Sequence, residues 1–281
     1  MKQYPSIPHV ESIPDDMFEG HLWLVEKVDG AHFRFQLQEA GYIRFGDRSE
    51  VYDAPEAVPP PYQHAVRAIQ KQFDRAALRQ AVENVEDVVF FGEAMHQHRI
   101  EYDWDRTPSF LGYDIWSAET EAFRPLATTE KIFQAVGLQP VHVFERERNA
   151  RDFQPETYTI PPSAYYDGPA EGVIIRNKRG QRTQRIHPAF EAADEPAPVE
   201  VSAETLAARY ATQQRFETLV AELETQGQPV TVDTLYEHVL EDIMREEHRT
   251  LFEGAQSVEM SEFRSDIAAR TRSFLDERTT Y

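Results

Sequence analysis

The sequence predicts an α+β protein: a domain of antiparallel sheets flanked by helices over residues 1–195, then a small all-helical domain over residues 199–281. Three observations predict it. Short apolar or alternating runs, the signature of strands, recur between residues 21 and 187. A stretch rich in Glu, Ala and Pro at residues 191–198 interrupts them. Beyond it, apolar residues return at helical spacing only.

The elements follow in order. Trp23, Leu24 and Val25 form an apolar run that ends in Glu26-Lys-Val-Asp-Gly30. Residues 32–37 alternate apolar and polar, and residues 41–45 read as a returning strand. Prolines at 59–61 break the pattern. Residues 62–86 then read as helical, with Val66, Ile69 and Phe73 in one stretch and Leu78, Val82 and Val85 in a second. Residues 88–91 and 110–116 are buried-strand candidates. Residues 128–136 predict a helix and 141–144 a strand. Residues 172–175 predict a strand that turns at 177–180 onto a hairpin partner at 181–187. In the last third, Leu206, Tyr210, Val220 and Leu223 share a helical face that breaks at residues 227–230. Thr234 with Glu237 fits a capping box, which opens a second helix. Phe263, Ile267, Thr271, Phe274 and Leu275 mark a third.

Composition narrows the class. The 281 residues suffice for one large and one small core. No apolar run approaches the roughly 20 residues of a membrane helix. The start, Met1-Lys-Gln-Tyr-Pro5, carries no basic-then-apolar signal, so a cytoplasmic location without membrane partners is expected. With no cysteine, disulfides and thiolate zinc sites are excluded. The net charge of −20, from 49 acidic against 29 basic residues, is spread along the chain. Five of the basic residues are lysine and the rest arginine. This balance reads as that of a halophilic protein. It leaves room only for a local nucleic-acid footprint, built from arginine forks and metal ions.

The chemistry starts at Lys27. A lysine becomes a nucleophile when burial or nearby cations lower its pKa, and the end of a buried strand meets that need. Asp29, two residues on, shares its face in an extended chain and can hold a hydrated divalent metal near the amine. Gly30 lets the backbone turn and approach a ligand closely. Phe91-Gly-Glu93 follows one apolar strand. Phe110-Leu-Gly-Tyr-Asp-Ile115 follows, Glu171-Gly172 opens another strand, and Arg182 and Arg185 come after it.

In order and spacing these elements resemble motifs I, III, IIIa, IV and V of the lysine-dependent nucleotidyltransferases, the superfamily of RNA ligases, DNA ligases and capping guanylyltransferases. The resemblance covers about residues 20–190 and implies an ATP-grasp-like catalytic domain. It implies that Lys27 attacks the α-phosphorus of ATP, that Glu93 holds the ribose hydroxyls and that Phe110 stacks on adenine. Glu171 and Asp29 would serve Mg2+ or Mn2+. Glu26 would read the adenine edge through backbone or side chain, and Arg48 would contact the nucleotide or a 5′-phosphate. Two departures stand out. Motif V usually presents two lysines at alternate positions. Here the residues are arginines, Arg185 being the first choice for the α-phosphate and Arg182 the second. His32 stands where one branch carries asparagine, and it reads as a surface strand histidine.

Neither a barrel nor its motif VI follows residue 199. The helical tail and the Phe110–Ile115 string resemble the second ATP-dependent RNA ligase family. The resemblance therefore implies an ATP-dependent RNA ligase that joins 5′-phosphate and 3′-hydroxyl RNA ends through a lysyl-AMP. The alternatives are a DNA ligase, a capping guanylyltransferase or a non-catalytic RNA-end binding protein. The helical domain would grip RNA, add stability or form a homodimer.

Overall fold

The computed structural model describes residues 1–13, 15–192, 201–253 and 258–279. The chain divides into two compact units, Met1–Asp194 and Glu195–Tyr281. The boundary expected at residues 191–198 lies almost wholly outside the described residues.

In chain order the first unit holds β1 (His21–Lys27), β2 (Ala31–Leu37), β3 (Ile43–Gly46), β4 (Val51–Tyr52), α1 (Gln63–Gln72), α2 (Arg75–Ala81), β5 (Val88–Ala94), β6 (Phe110–Ser117), β7 (Ala122–Phe123), α3 (Leu126–Ala135), β8 (Val143–Asn149), β9 (Gly172–Asn177) and β10 (Arg182–Ile186). They build two antiparallel sheets, one in the order β10-β9-β1-β8 and one in the order β4-β3-β2-β5-β6-β7.

Alternation decides which side chains meet. On β2, Phe33, Phe35 and Leu37 turn to the helices and pack with Val66, Ile69, Leu78 and Phe133. Each such buried side chain contributes about 1.5–3 kcal/mol. His32 and Arg34 take the other phase. On β1, Leu22 and Leu24 join Val173 and Ile175 in one core, while Trp23 and Val25 join Leu111 and Val143 in another. Lys27 continues the Trp23–Val25 phase and Glu26 the opposite one.

One irregularity re-aims β6. Phe91 pairs with Asp114 and Gly92 with Gly112, so Tyr113 is the extra residue of a bulge. The phase changes across it: Phe110 and Ile115, five apart, both enter the helix-covered core. Gly92 makes room for this. A Cβ there would lie 2.3 Å from the Phe110 ring and 2.4 Å from the Leu111 carbonyl.

The second unit shows four α-helices among the described residues, not three: α4 (Ala203–Tyr210), α5 (Gln213–Thr225), α6 (Val232–Glu246) and α7 (Met260–Thr279), with a π-helical turn at Arg249–Glu253. The first expected helix is split because Thr212 caps α5 by accepting the Arg215 N–H. Helix α6 starts earlier than Thr234, for Thr231 caps it and accepts the Thr234 N–H at 3.1 Å. Leu206, Leu235, Val239, Ile243, Phe263 and Ile267 form its core. Among the described residues no helix is long and apolar enough to cross a membrane.

Candidate active site

Lys27 closes β1 and borders a cavity of about 230 Å³ between the two sheets. One sheet contributes Val25, Lys27, Ile174, Arg176 and Gln184, and the other His32, Glu93 and Tyr113. Arg48, after β3, and residues 4–7 complete the wall.

The β1–β9 ladder pairs Lys27 with Gly172, which sets the preceding Glu171 beside the amine. Lys27 Nζ donates to Glu171 Oε2 at 2.5 Å. The other oxygen, Oε1, accepts from Arg99 Nη2 at 2.7 Å. Burial raises the pKa of Glu171, with the Lys27 charge opposing that rise. Arg99 is itself anchored: its Nη1 donates to the Phe190 carbonyl at 2.6 Å. Asp29 Oδ2 accepts two backbone N–H groups, from Arg99 at 2.7 Å and Ile100 at 3.1 Å. The Asp29 N–H in turn donates to Tyr102 Oη at 2.7 Å. Asp29 thus braces the loop that carries Arg99, which the sequence reading did not foresee.

Glu93 sits on β5 across the cavity. Burial is the main cause that pushes its pKa up to about 8; Lys27 opposes the rise and the carboxylates of Glu171 and Asp29 add to it. The neutral acid therefore predominates at pH 7. The sign of the linkage follows. A carboxyl raised on folding contributes stability that is full below about pH 4.5 and is lost as pH rises towards about 8. Glu93→Gln removes this titration. Urea denaturation at pH 5 and pH 8 is expected to show a smaller loss of stability in the variant than in the wild type.

His32 lies in the cavity wall, not on a free surface. Its Nδ1 and Tyr113 Oη are 2.5 Å apart. Burial above all, with Arg34 and Arg48, lowers the His32 pKa to about 4, and burial raises that of Tyr113. The phenol then donates to a neutral imidazole, whose proton is assigned to Nε2. Nε2 is buried without a hydrogen-bond partner.

The other expected site residues divide. Arg48 lines the cavity, its Nη2 3.5 Å from Ser6 Oγ. Glu26 spends its carboxylate on Ser163 Oγ at 2.6 Å and the Ala164 N–H at 3.1 Å, and its own N–H on the His142 carbonyl at 2.9 Å, so its side chain is not free for a base edge. Burial, against the two carboxylate bonds, pushes its pKa up to about 7. Phe110, expected to stack on a base, is in the core against Phe35 and Phe133. The bulge gives its place at the cavity to Tyr113. Arg185 faces away and donates to the Pro155 and Tyr158 carbonyls, both at 2.6 Å. The register puts Gln184 at the cavity instead. Arg182 shares the Gln184 face but bonds Asp114 Oδ2 at 2.6 Å and the Tyr4 hydroxyl.

Two cavity features escaped the sequence reading. Arg176, beside Ile174 in phase, is a cation at the cavity and donates to Asp114 Oδ1 at 3.2 Å. Strand periodicity counted from Gly172, the residue after Glu171, could have found it. The N-terminal segment runs along β10, with Pro8 and Ile7 accepting from Gln184, and sets Tyr4 against Tyr113 at 5.0 Å. No local pattern announces that contact.

Among the described residues no group of three or more His, Asp and Glu side chains is arranged to hold a metal alone. The carboxylates of Glu171 and Asp29 nevertheless raise the proton affinity of Glu93, and that of Asp29 raises the proton affinity of Glu171. This gathering of carboxyl groups fits a divalent cation that takes one or two carboxylates and draws its other ligands from phosphate and water.

Comparison with known proteins identifies a family and a fold. The RNA ligase family model matches residues 20–191. A Naegleria gruberi RNA ligase with pyrophosphate superposes with a TM-score of 0.52 at 14% identity, covering 68% of this chain and 57% of that one. A mutant of the same ligase with ATP and Mn gives 0.53 at 13%, with the same coverages. An archaeal ATP-dependent RNA ligase gives 0.49 at 15%, covering 89% and 65%. The chain thus spans little more than half the length of the Naegleria chains, and at such identities the likeness is one of fold. No curated protein sequence matches.

Proposed function

The chain belongs to the RNA ligase family, and we propose on that premise that it is an ATP-dependent RNA ligase joining 5′-phosphate and 3′-hydroxyl ends. The observation that carries the reading is Lys27, an amine at a strand end, bonded to Glu171 at 2.5 Å and bordering a cavity with Glu93, His32 and Tyr113.

Three transfers make up the reaction. Lys27 Nζ, once it has lost its proton, bonds to the α-phosphorus of ATP, and the bond to pyrophosphate breaks. A 5′-phosphate oxygen of RNA then takes the AMP, the N–P bond breaks and the amine is restored. Finally a 3′-hydroxyl attacks the activated 5′-phosphorus and AMP departs. Glu171 orients Nζ towards the cavity. Tyr113 offers its ring to adenine. Glu93 and the His32 Nε2 proton hold ribose or phosphate oxygens. Arg48 and Arg176 take the phosphate role that motif V lysines fill in relatives, with fork geometry. Bound Mg2+ or Mn2+, held by Glu171 with the remaining oxygen of Asp29, would neutralise the triphosphate. Residues 1–195 form the catalytic domain, and residues 199–281 form a helical module.

The test is joining of a 5′-labelled phosphorylated RNA to a 3′-hydroxyl RNA with ATP and Mg2+ or Mn2+, at low and molar KCl. The net charge of −20 supports activity in the concentrated salt. A longer labelled product that requires ATP is expected. Joining of DNA but not RNA, or labelling by GTP alone, would move the chain to another branch.

A further inference from the structure

The buried carboxylate of Glu171 meets two cations, and only one of them survives the first chemical step of the reaction proposed above. Lys27 Nζ binds Oε2 at 2.5 Å and Arg99 Nη2 binds Oε1 at 2.7 Å. The Glu171 side chain is 4% exposed. When Nζ bonds to phosphorus it becomes a phosphoramidate and carries no positive charge. A carboxylate this buried, left without a cation, is strongly disfavoured.

We infer that Arg99 is a positioning residue, the permanent counter-ion that holds Glu171 in place while Lys27 carries the nucleotide. Its anchoring suits that task. Nη1 is held by the Phe190 carbonyl at 2.6 Å and the guanidinium lies 5.9 Å from the Phe190 ring centre. The Arg99 N–H is held by Asp29 at 2.7 Å. The guanidinium is fixed from both ends, so it stays with Glu171 when the amine leaves. The fixed cation also supplies part of the charge that a divalent metal would otherwise have to bring.

The first test needs no catalysis. Thermal midpoints of the full chain are measured for the wild type, Lys27→Met, Arg99→Ala and the double variant, without nucleotide. Each single variant leaves one cation on Glu171, so the double variant is expected to lose more than the two singles added together. Arg99→Lys retains the charge, and its combination with Lys27→Met is expected to be close to additive. Additive losses with Arg99→Ala, or the same excess loss with Arg99→Lys, would overturn the inference. If Arg99→Ala does not fold, Arg99→Gln takes its place in the cycle. The second test is the divalent-cation concentration that half-saturates self-adenylation. It is expected to rise about tenfold or more in Arg99→Ala and to return towards the wild-type value in Arg99→Lys. An unchanged requirement contradicts the inference. A wild type that takes no AMP at all sinks the ligase reading instead, while the thermal cycle still decides the role of Arg99.

Discussion

Asp114→Ala is expected to lower folding stability by about 3–5 kcal/mol, because it strands two guanidinium groups in the interior. Asp114 is fully buried, and Arg176 and Arg182 are each at most 8% exposed. Arg182 Nη1 lies 2.6 Å from Oδ2 and Arg176 Nη2 3.1 Å from the same oxygen. The Tyr4 hydroxyl donates to it at 2.9 Å and the Ile115 N–H donates to Oδ1 at 3.1 Å. One carboxylate thus ties β6 to β9, β10 and the N-terminal segment. Asp114→Asn keeps the shape but loses the charge, and a smaller loss is expected. Urea denaturation measures both. Arg176 is also released from its bond beside the cavity. Each variant is therefore expected to bind ATP more weakly, read by isothermal titration at a temperature where it remains folded. Wild-type stability in Asp114→Ala would show that the two arginines are satisfied elsewhere.

Lys27→Ala is expected to abolish covalent nucleotide transfer outright, not to slow it. The amine is the atom to which phosphorus bonds: Glu171 and Glu93 are carboxyls, Arg99 and Arg176 carry guanidinium groups and not amines, and the His32 ring has no free lone pair, since Nδ1 accepts from Tyr113 and Nε2 carries the proton. Lys27→Arg is expected to fail equally for that reason. The variants separate this step from the last one. Sealing of an RNA that already carries a 5′-adenylate does not consume the lysine, so both variants should retain part of that activity. Labelled ATP and a chemically adenylated RNA read the two steps apart. If Lys27→Ala still accepts label, the nucleophile has been misassigned.

The placement of Lys27, Glu93 and Glu171 was legible because each sits at the end or in the regular phase of an apolar strand, where a period of two fixes the face. The β1–β9 register then does the rest, by pairing Lys27 with Gly172. The residue proposed to stack on the base was not legible in this way. A bulge shifts the face by one residue, and nothing in Phe110-Leu-Gly-Tyr-Asp-Ile115 announces that Tyr113 is the extra one. The basic residues of β10 show the same limit. Arg182 and Arg185 must point to opposite faces, but only the ladder to β9 tells which face carries the cavity. Arg99 lay further out of reach. It is 72 residues from Glu171 and in a polar loop without periodicity, so only the folded chain brings the two together. In the helical unit the missing signals were the threonine caps: Thr212 splits one long periodic stretch, and Thr231 moves a helix start three residues upstream of Thr234.

The most direct measurement is tandem mass spectrometry of the full chain after incubation with ATP and Mg2+ or Mn2+. One AMP on the side-chain nitrogen of Lys27, released again when 5′-phosphorylated RNA is added, is the predicted result. AMP on another residue, or a chain that stays unmodified with every nucleotide and metal at low and high salt, would contradict it.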